Sequence, residues 1–295
     1  STSAGRAVVA TAWGWRSGFE NDREPCRERE RMAESNTGRA LALMEAFAER
    51  KGIGSSGAAR RYLWTDAFAV CNFLGLARAT GDPRARERAL LLIDGVHRVL
   101  GRHRSDDARQ GWLSGLSDSE AEAHPTCAGL RIGKTLPERR PDEPFDERLE
   151  WERDGQYFHY LTRWMHALDQ TTRATGQPLF HRWACELARA AHRAFTYLPR
   201  SGAGRRMYWK MSVDLSRPLV GSMGQHDPLD GFVTCAQLEA TTPPPGLARD
   251  LAAARDDFAA MVRLPGLATT DPLGLGGLLI EAYRVHQLER LGVLS

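Results

Sequence analysis

The chain has 295 residues, 42% of them hydrophobic and 26% charged, with a net charge of only +3. That is enough apolar material for one large core. The weak basic balance, with arginines spread along helices beside acids rather than in a stripe, speaks against nucleic acid, and no stretch reaches the roughly 18 apolar residues of a membrane span.

Residues 1–35 read as an N-terminal extension and 36–295 as one helical domain. The short apolar patch Ala7 to Trp15 lacks the long h-region of a signal peptide, so a soluble cytoplasmic protein is expected. Residues 21–34 are highly charged, an exposed loop or the start of a helix. A helix from about Asn36 to Lys51 carries apolar Leu41, Leu43, Met44 and Phe47, and GIGSSG (52–57) breaks it. From Asp66 to about Ala79 the pattern predicts a helix apolar on nearly every side. ATGDP ends it, and Pro83 opens an amphipathic helix over 83–102 at a position proline tolerates.

The alternation repeats. Asp154 to Thr175 is aromatic and largely apolar, ATGQP ends it 95 residues after ATGDP, and 178–198 is again amphipathic. His226 to Ala240 is apolar, TTPPPG follows, and 246–263 is amphipathic. Thr270 to Leu291 is a last, mostly apolar helix. Helices apolar all round belong inside and one-sided helices outside, so the expectation is an all-α, α/α toroid. The alternating stretch 205–215 predicts one short β-hairpin in a loop. Residues 103–150 form a long connection of the kind that is functional or disordered.

The cysteines Cys26, Cys71, Cys127, Cys185 and Cys235 are scattered and odd in number, without zinc spacing. Cys71, Cys185 and Cys235 fall in apolar helices and read as buried free thiols, which suits a reducing cytoplasm. No P-loop, nucleophile elbow or dinucleotide fingerprint appears, and no metal or cofactor is expected.

Candidate chemistry sits at the predicted inner-helix starts: Asp66, Asp154, His226 with Asp227 and Asp230, and Asp271. Taken singly, each acid is a favoured helix cap. Taken together, parallel inner helices would bring them to one mouth, where like charges raise one another's pKa and one becomes a general acid. Aromatics cluster beside them. Trp64 and Trp151 lie just outside helix starts, Tyr157 and Trp164 read mostly as core, and Tyr208 and Trp209 precede HDPLDG; aromatic faces suit a sugar ring. Arg131, Lys134 and Arg153 either contact an anionic ligand group or balance Glu150, Glu152 and Asp154. His226 is the best-placed acid/base histidine, and His159 shares a helix face with His166.

The segments WTDAFAVCNFLGLARATGDP, ERDGQYFHYLTRWMHALDQTTRATGQP, HDPLDG and TDPLG resemble the six-hairpin glycosidase-like superfamily over roughly residues 36–291. The resemblance implies an active site at the mouth of the inner-helix N-termini. It points to Asp66 and Asp154 as hydrolase acids, or to His226 and His159 if the chain works like the epimerase-like members. Six hairpins need twelve helices and about eight are legible, so either the ring is smaller, or segments 1–35 and 103–150 hold further helices, or the chain is incomplete; a homodimer is another way to close the ring. Three readings stay open: a glycoside hydrolase acting on acidic or unsaturated sugars, a sugar isomerase using His226, and a non-catalytic toroid that binds a ligand or partner. A terpene-cyclase-like barrel fits less well, since the mouth is polar and no DDxxD run occurs.

Overall fold

The computed structural model describes residues 23–55, 60–202, 204–221, 225–241 and 243–294, with side chains from residue 36 onward. The expectations for residues 1–22, the patch Ala7 to Trp15 among them, lie outside this set. In chain order the helices and strands are α1 (Arg23–Arg50), α2 (Leu63–Thr80), α3 (Pro83–Leu100), α4 (Asp118–Ala123), α5 (Glu147–Glu152), β1 (Gln156–Tyr157), α6 (Phe158–Thr175), α7 (Pro178–Phe195), β2 (Thr196–Tyr197), β3 (Arg206–Met207), β4 (Lys210–Met211), β5 (Pro218–Val220), α8 (Asp227–Ala240), α9 (Ala248–Met261) and α10 (Pro272–Arg290). The charged stretch after residue 21 is helical from Arg23, so α1 begins well before Asn36.

The fold is predominantly helical, and three of its units are helix pairs: α2 with α3, α6 with α7, α8 with α9. Two of the turns are the same device. Gly81 and Gly176 both take φ 72° and return their N–H to the carbonyls of Ala77 and Thr172. Glycine adopts this left-handed cap without a Cβ clash, and Pro83 or Pro178 then sets the first turn of the next helix. The partners differ as their patterns require. The helix α3 buries one stripe, Ala85, Ala89, Leu92, Ile93, Val96 and Leu100, while α6 buries residues on most of its circumference.

Side-chain contacts show that α2, α6, α8 and α10 run parallel in one row. His159 near the start of α6 meets Trp64 at the start of α2 and Asp227 at the start of α8. Further along, Asp169 of α6 meets Gln237 of α8, and Arg284 of α10 meets the same glutamine. The outer helices α3, α7 and α9 pack behind this row, and α1 lies against α2. The row bends, since Arg78 of α2 and Arg290 of α10 line one hollow. Between the layers, Trp164 is fully buried and its indole N–H donates to His97 Nε2 at 3.1 Å. Burial holds that histidine neutral, its pKa pushed down to about 3. Trp164→Ala would open a cavity at a cost of about 3–5 kcal/mol.

Two expectations are corrected here. Stretch 205–215 is not one hairpin: β3 pairs with β2, while β4 is the middle strand between β1 and β5, because Tyr208 and Trp209 turn the chain from one sheet to the other. The connection 103–150 has few apolar anchors, yet arginines tie it down. Arg104 holds Asp106 and the carbonyls of Lys134 and Thr135, Arg109 bridges Asp107, Glu138 and Asp214, and Arg139 pairs with Glu150. Of the thiols expected to be buried, Cys185 and Cys235 are, while Cys71 is half-buried. Among the described residues no helix is long and apolar enough to cross a membrane.

Candidate active site

The parallel row brings the starts of α2, α6 and α8 together, and aromatic rings fill the space between them. Trp64 lies 5.6 Å from the His159 ring and 5.0 Å from Tyr160. Tyr157, delivered by β1, stacks on His159 at 5.5 Å and meets Trp209 at 4.6 Å. Trp209 in turn meets Trp151, which is 43% exposed and forms the rim. Tyr62, just before α2, has its hydroxyl 2.6 Å from that of Tyr160 and its ring 5.7 Å from Lys134 Nζ. Tyr157 is buried, while Tyr62, Trp64, His159, Tyr160 and Trp209 are half-exposed, so the cluster is both floor and surface.

Asp227 stands at the edge of this cluster as the first residue of α8. Its Oδ1 is 3.8 Å from His159 Nδ1, and its buried Oδ2 has no hydrogen-bond partner. Burial, and then repulsion from Asp230, push its pKa well above the usual carboxylate range against the pull of Arg163. Burial likewise lowers His159 to about 4, with Asp230 opposing and Arg163 assisting. Burial thus favours the uncharged form of both groups, a carboxyl and an imidazole.

One turn deeper the row is filled by charge. Thr162 Oγ1 donates to Asp230 at 2.6 Å. Arg163 reaches Asp230 at 3.3 Å and Glu281 of α10 at 2.7 Å. Arg284 lies 3.0 Å from Glu281 and 3.5 Å from Asp230, and donates to Thr234 and Gln237. All four charged groups are buried. Burial and the neighbouring Asp230 raise the Glu281 pKa.

Other singled-out residues stand elsewhere. Asp154 is not at a helix start, because α6 begins only at Phe158. Its fully buried carboxylate accepts from Arg131 at 2.5 Å and from the backbone N–H groups of Gly133 and Gly155, which anchors the 129–134 loop. Arg131 is spent on that pair and on the carbonyls of Val99 and Arg102. Arg153 pairs with Glu143 at 2.7 Å. Asp66 accepts from the Tyr62 N–H at its own helix start, with Lys51 and Arg61 as its charged neighbours; burial raises its pKa against all three. Asp271 caps α10 by accepting from the Gly274 N–H at 2.6 Å. His226 does not face the aromatics through Nε2, which donates to the Leu267 carbonyl at 2.9 Å.

Sequence reasoning missed Tyr62, Arg163, Glu281 and Arg284. The available signal was the presence of charges in α6 and α10, helices read as interior, where a charge without an outer face must find a partner. Among the described residues no group of three or more His, Cys, Asp or Glu side chains is placed to hold a metal ion. No protein-family model, no curated protein and no solved structure matches this chain.

Proposed function

We propose that this chain is a carbohydrate-active enzyme, built as an α/α toroid with α2, α6, α8 and α10 as inner staves, that binds a sugar on the aromatic cluster and protonates it from Asp227. The observation that carries the reading is the unpartnered, buried Asp227 carboxyl beside His159 at the edge of five half-exposed rings. Aromatic faces take the apolar side of a pyranose, and a carboxyl whose pKa burial has raised holds its proton to higher pH and serves as a general acid. Glycoside hydrolysis is the reaction this suits. Asp227 gives its proton to the leaving oxygen as water adds to the anomeric carbon, and the proton that water releases restores Asp227; Asp230, one turn along α8, is held by Thr162, Arg163 and Arg284 and acts only through its charge. Lys134 beside Tyr62 is the cation that would meet an acidic sugar.

The His159–Asp227 proximity also favours a second reaction, sugar isomerisation with His159 as the base. A panel of uronic and neutral oligosaccharides, assayed for reducing-end release and for exchange of substrate C–H protons with deuterated solvent, separates the two. Either activity should fall at least about 100-fold in Asp227→Asn while the helical circular dichroism is unchanged. Full activity in that folded variant would refute the proposal.

A further inference from the structure

The four parallel helices α2, α6, α8 and α10 also end together, and hollows open there. Two adjoining hollows of about 540 and 640 Å³ share Arg78, His166, Gln170 and Arg173. Arg86 completes one and Arg284 with Arg290 the other. Along α6 this end lies 14 residues from His159, about 21 Å, with the Arg163–Glu281–Arg284–Asp230 cluster in between.

The arginines divide by what they already do. Arg173 pairs with Asp169 and Arg284 with Glu281, so their charges are met. Arg78, Arg86 and Arg290 are exposed and form no ion pair among the described residues, although Arg84 and Arg88 beside them do. Part of this charge answers the helix dipoles, since Arg78, Arg173 and Arg290 sit in last turns. Four helix ends carry about −2 in all at roughly half a charge each, which three whole charges exceed. A concave wall with a surplus of guanidinium groups attracts anions, and phosphate matches the guanidinium fork best.

The wall also presents hydrogen-bonding groups suited to hydroxyls. Gln237 donates its amide to Asp169 at 2.6 Å, so its Oε1 accepts, from Arg284 and from His166 Nδ1 at 2.9 Å. That fixes the neutral His166 tautomer and leaves its Nε2 as an acceptor. Gln170 and Gln287 line the same walls, and Tyr283 stands at the mouth, 64% exposed.

We propose that these adjoining hollows together bind a small phosphorylated polyol, with Arg78, which lines both, and Arg290 on the phosphate, His166, Gln170 and Gln287 on hydroxyls, and Arg86 adding its charge from the first hollow. The site is independent of the sugar reading at the other end.

Calorimetric titration of the full chain with inorganic pyrophosphate, with glucose 6-phosphate and with glucose, in low salt, tests it. Both phosphates should bind and glucose should not, and added sodium chloride should weaken binding. Arg78→Ser and Arg290→Ser should each lose about tenfold in affinity, the loss expected for one charge-assisted contact. These side chains are exposed, so the fold should survive, as circular dichroism would verify. Asp227→Asn should bind as tightly as the parent, so failure here and failure of the sugar reading are distinguishable. Absence of binding by both phosphates overturns the proposal, and so does undiminished binding in the two folded arginine variants.

Discussion

At their starts, α2, α6 and α8 meet in aromatic rings and a carboxyl without a partner; at their ends, the same helices surround open space with guanidinium groups. Both patterns begin as service to the helices. Acids at a helix start and bases at a helix end answer the backbone dipole. Asp271 does only that, accepting from an N–H of its own helix start, while Asp66 does it through Oδ2 and keeps a buried Oδ1 without a partner. Arg173 does it too, while paired with Asp169. What exceeds this service is the informative remainder: buried carboxyl oxygens of Asp66 and Asp227 without partners at one end, and a surplus of about one positive charge among Arg78, Arg86 and Arg290 at the other.

The strongest way to break the contrast is to remove what separates the ends. Arg284→Met leaves Asp230 and Glu281 with Arg163 alone, and uncompensated buried charge costs about 3–5 kcal/mol, so chemical denaturation should show a loss of that order. Both ends should then weaken together. Next in size is Asp227→Asn, with its fall in turnover of at least about 100-fold confined to the aromatic end. The same variant carries a stability signature. A carboxyl whose folded pKa is raised favours the fold below its unfolded pKa, and that contribution is lost as pH rises toward the folded value. Asn should therefore match the parent near pH 4 and exceed it near pH 7, in melting temperatures measured across that range.

Asp169, near the arginine end, should show the reverse sign. Burial alone would raise its pKa, but the His181 ring 3.4 Å away and hydrogen bonds from Arg173 and Gln237 hold it down at about 2. Its contribution is present above the ordinary carboxylate pKa and lost as pH falls toward 2, so Asp169→Asn should cost about 2 kcal/mol at pH 7 and little at pH 2. The smallest effect belongs to Asp271→Ala, which removes only a cap and should lower stability by about 1 kcal/mol with sugar turnover unchanged.

Much of this was legible in the sequence. The twin ATGDP and ATGQP turns announced paired helices. The rule that helices apolar all round lie inside fails for α10, which buries only Glu281, Arg284 and Leu288 and leaves Leu273, Leu275, Leu279 and Tyr283 exposed. Trp64, Tyr157, His159 and Asp227 each lie next to a helix start, where a parallel row brings them together; Trp209, well ahead of α8 in the chain, is brought in by the pairing of β4 with β1. Asp154 misled because the R-D-G segment resembles a helix start, whereas β1 intervenes and a partner 23 residues earlier, Arg131, claims the carboxylate. Such long-range pairing leaves no periodic trace. The arginine end had a faint one: Arg78 and Arg173 occupy the same place in the two RATG turns.

The buried cluster of Arg163, Glu281, Arg284 and Asp230 has a consequence for how the helices move. Four charged side chains from α6, α8 and α10 hold one another where each is almost sealed from water. Sliding one of these helices past its neighbours would strip a buried charge of its partner. The three helices are therefore riveted into one block between the aromatic starts and the arginine-bearing ends.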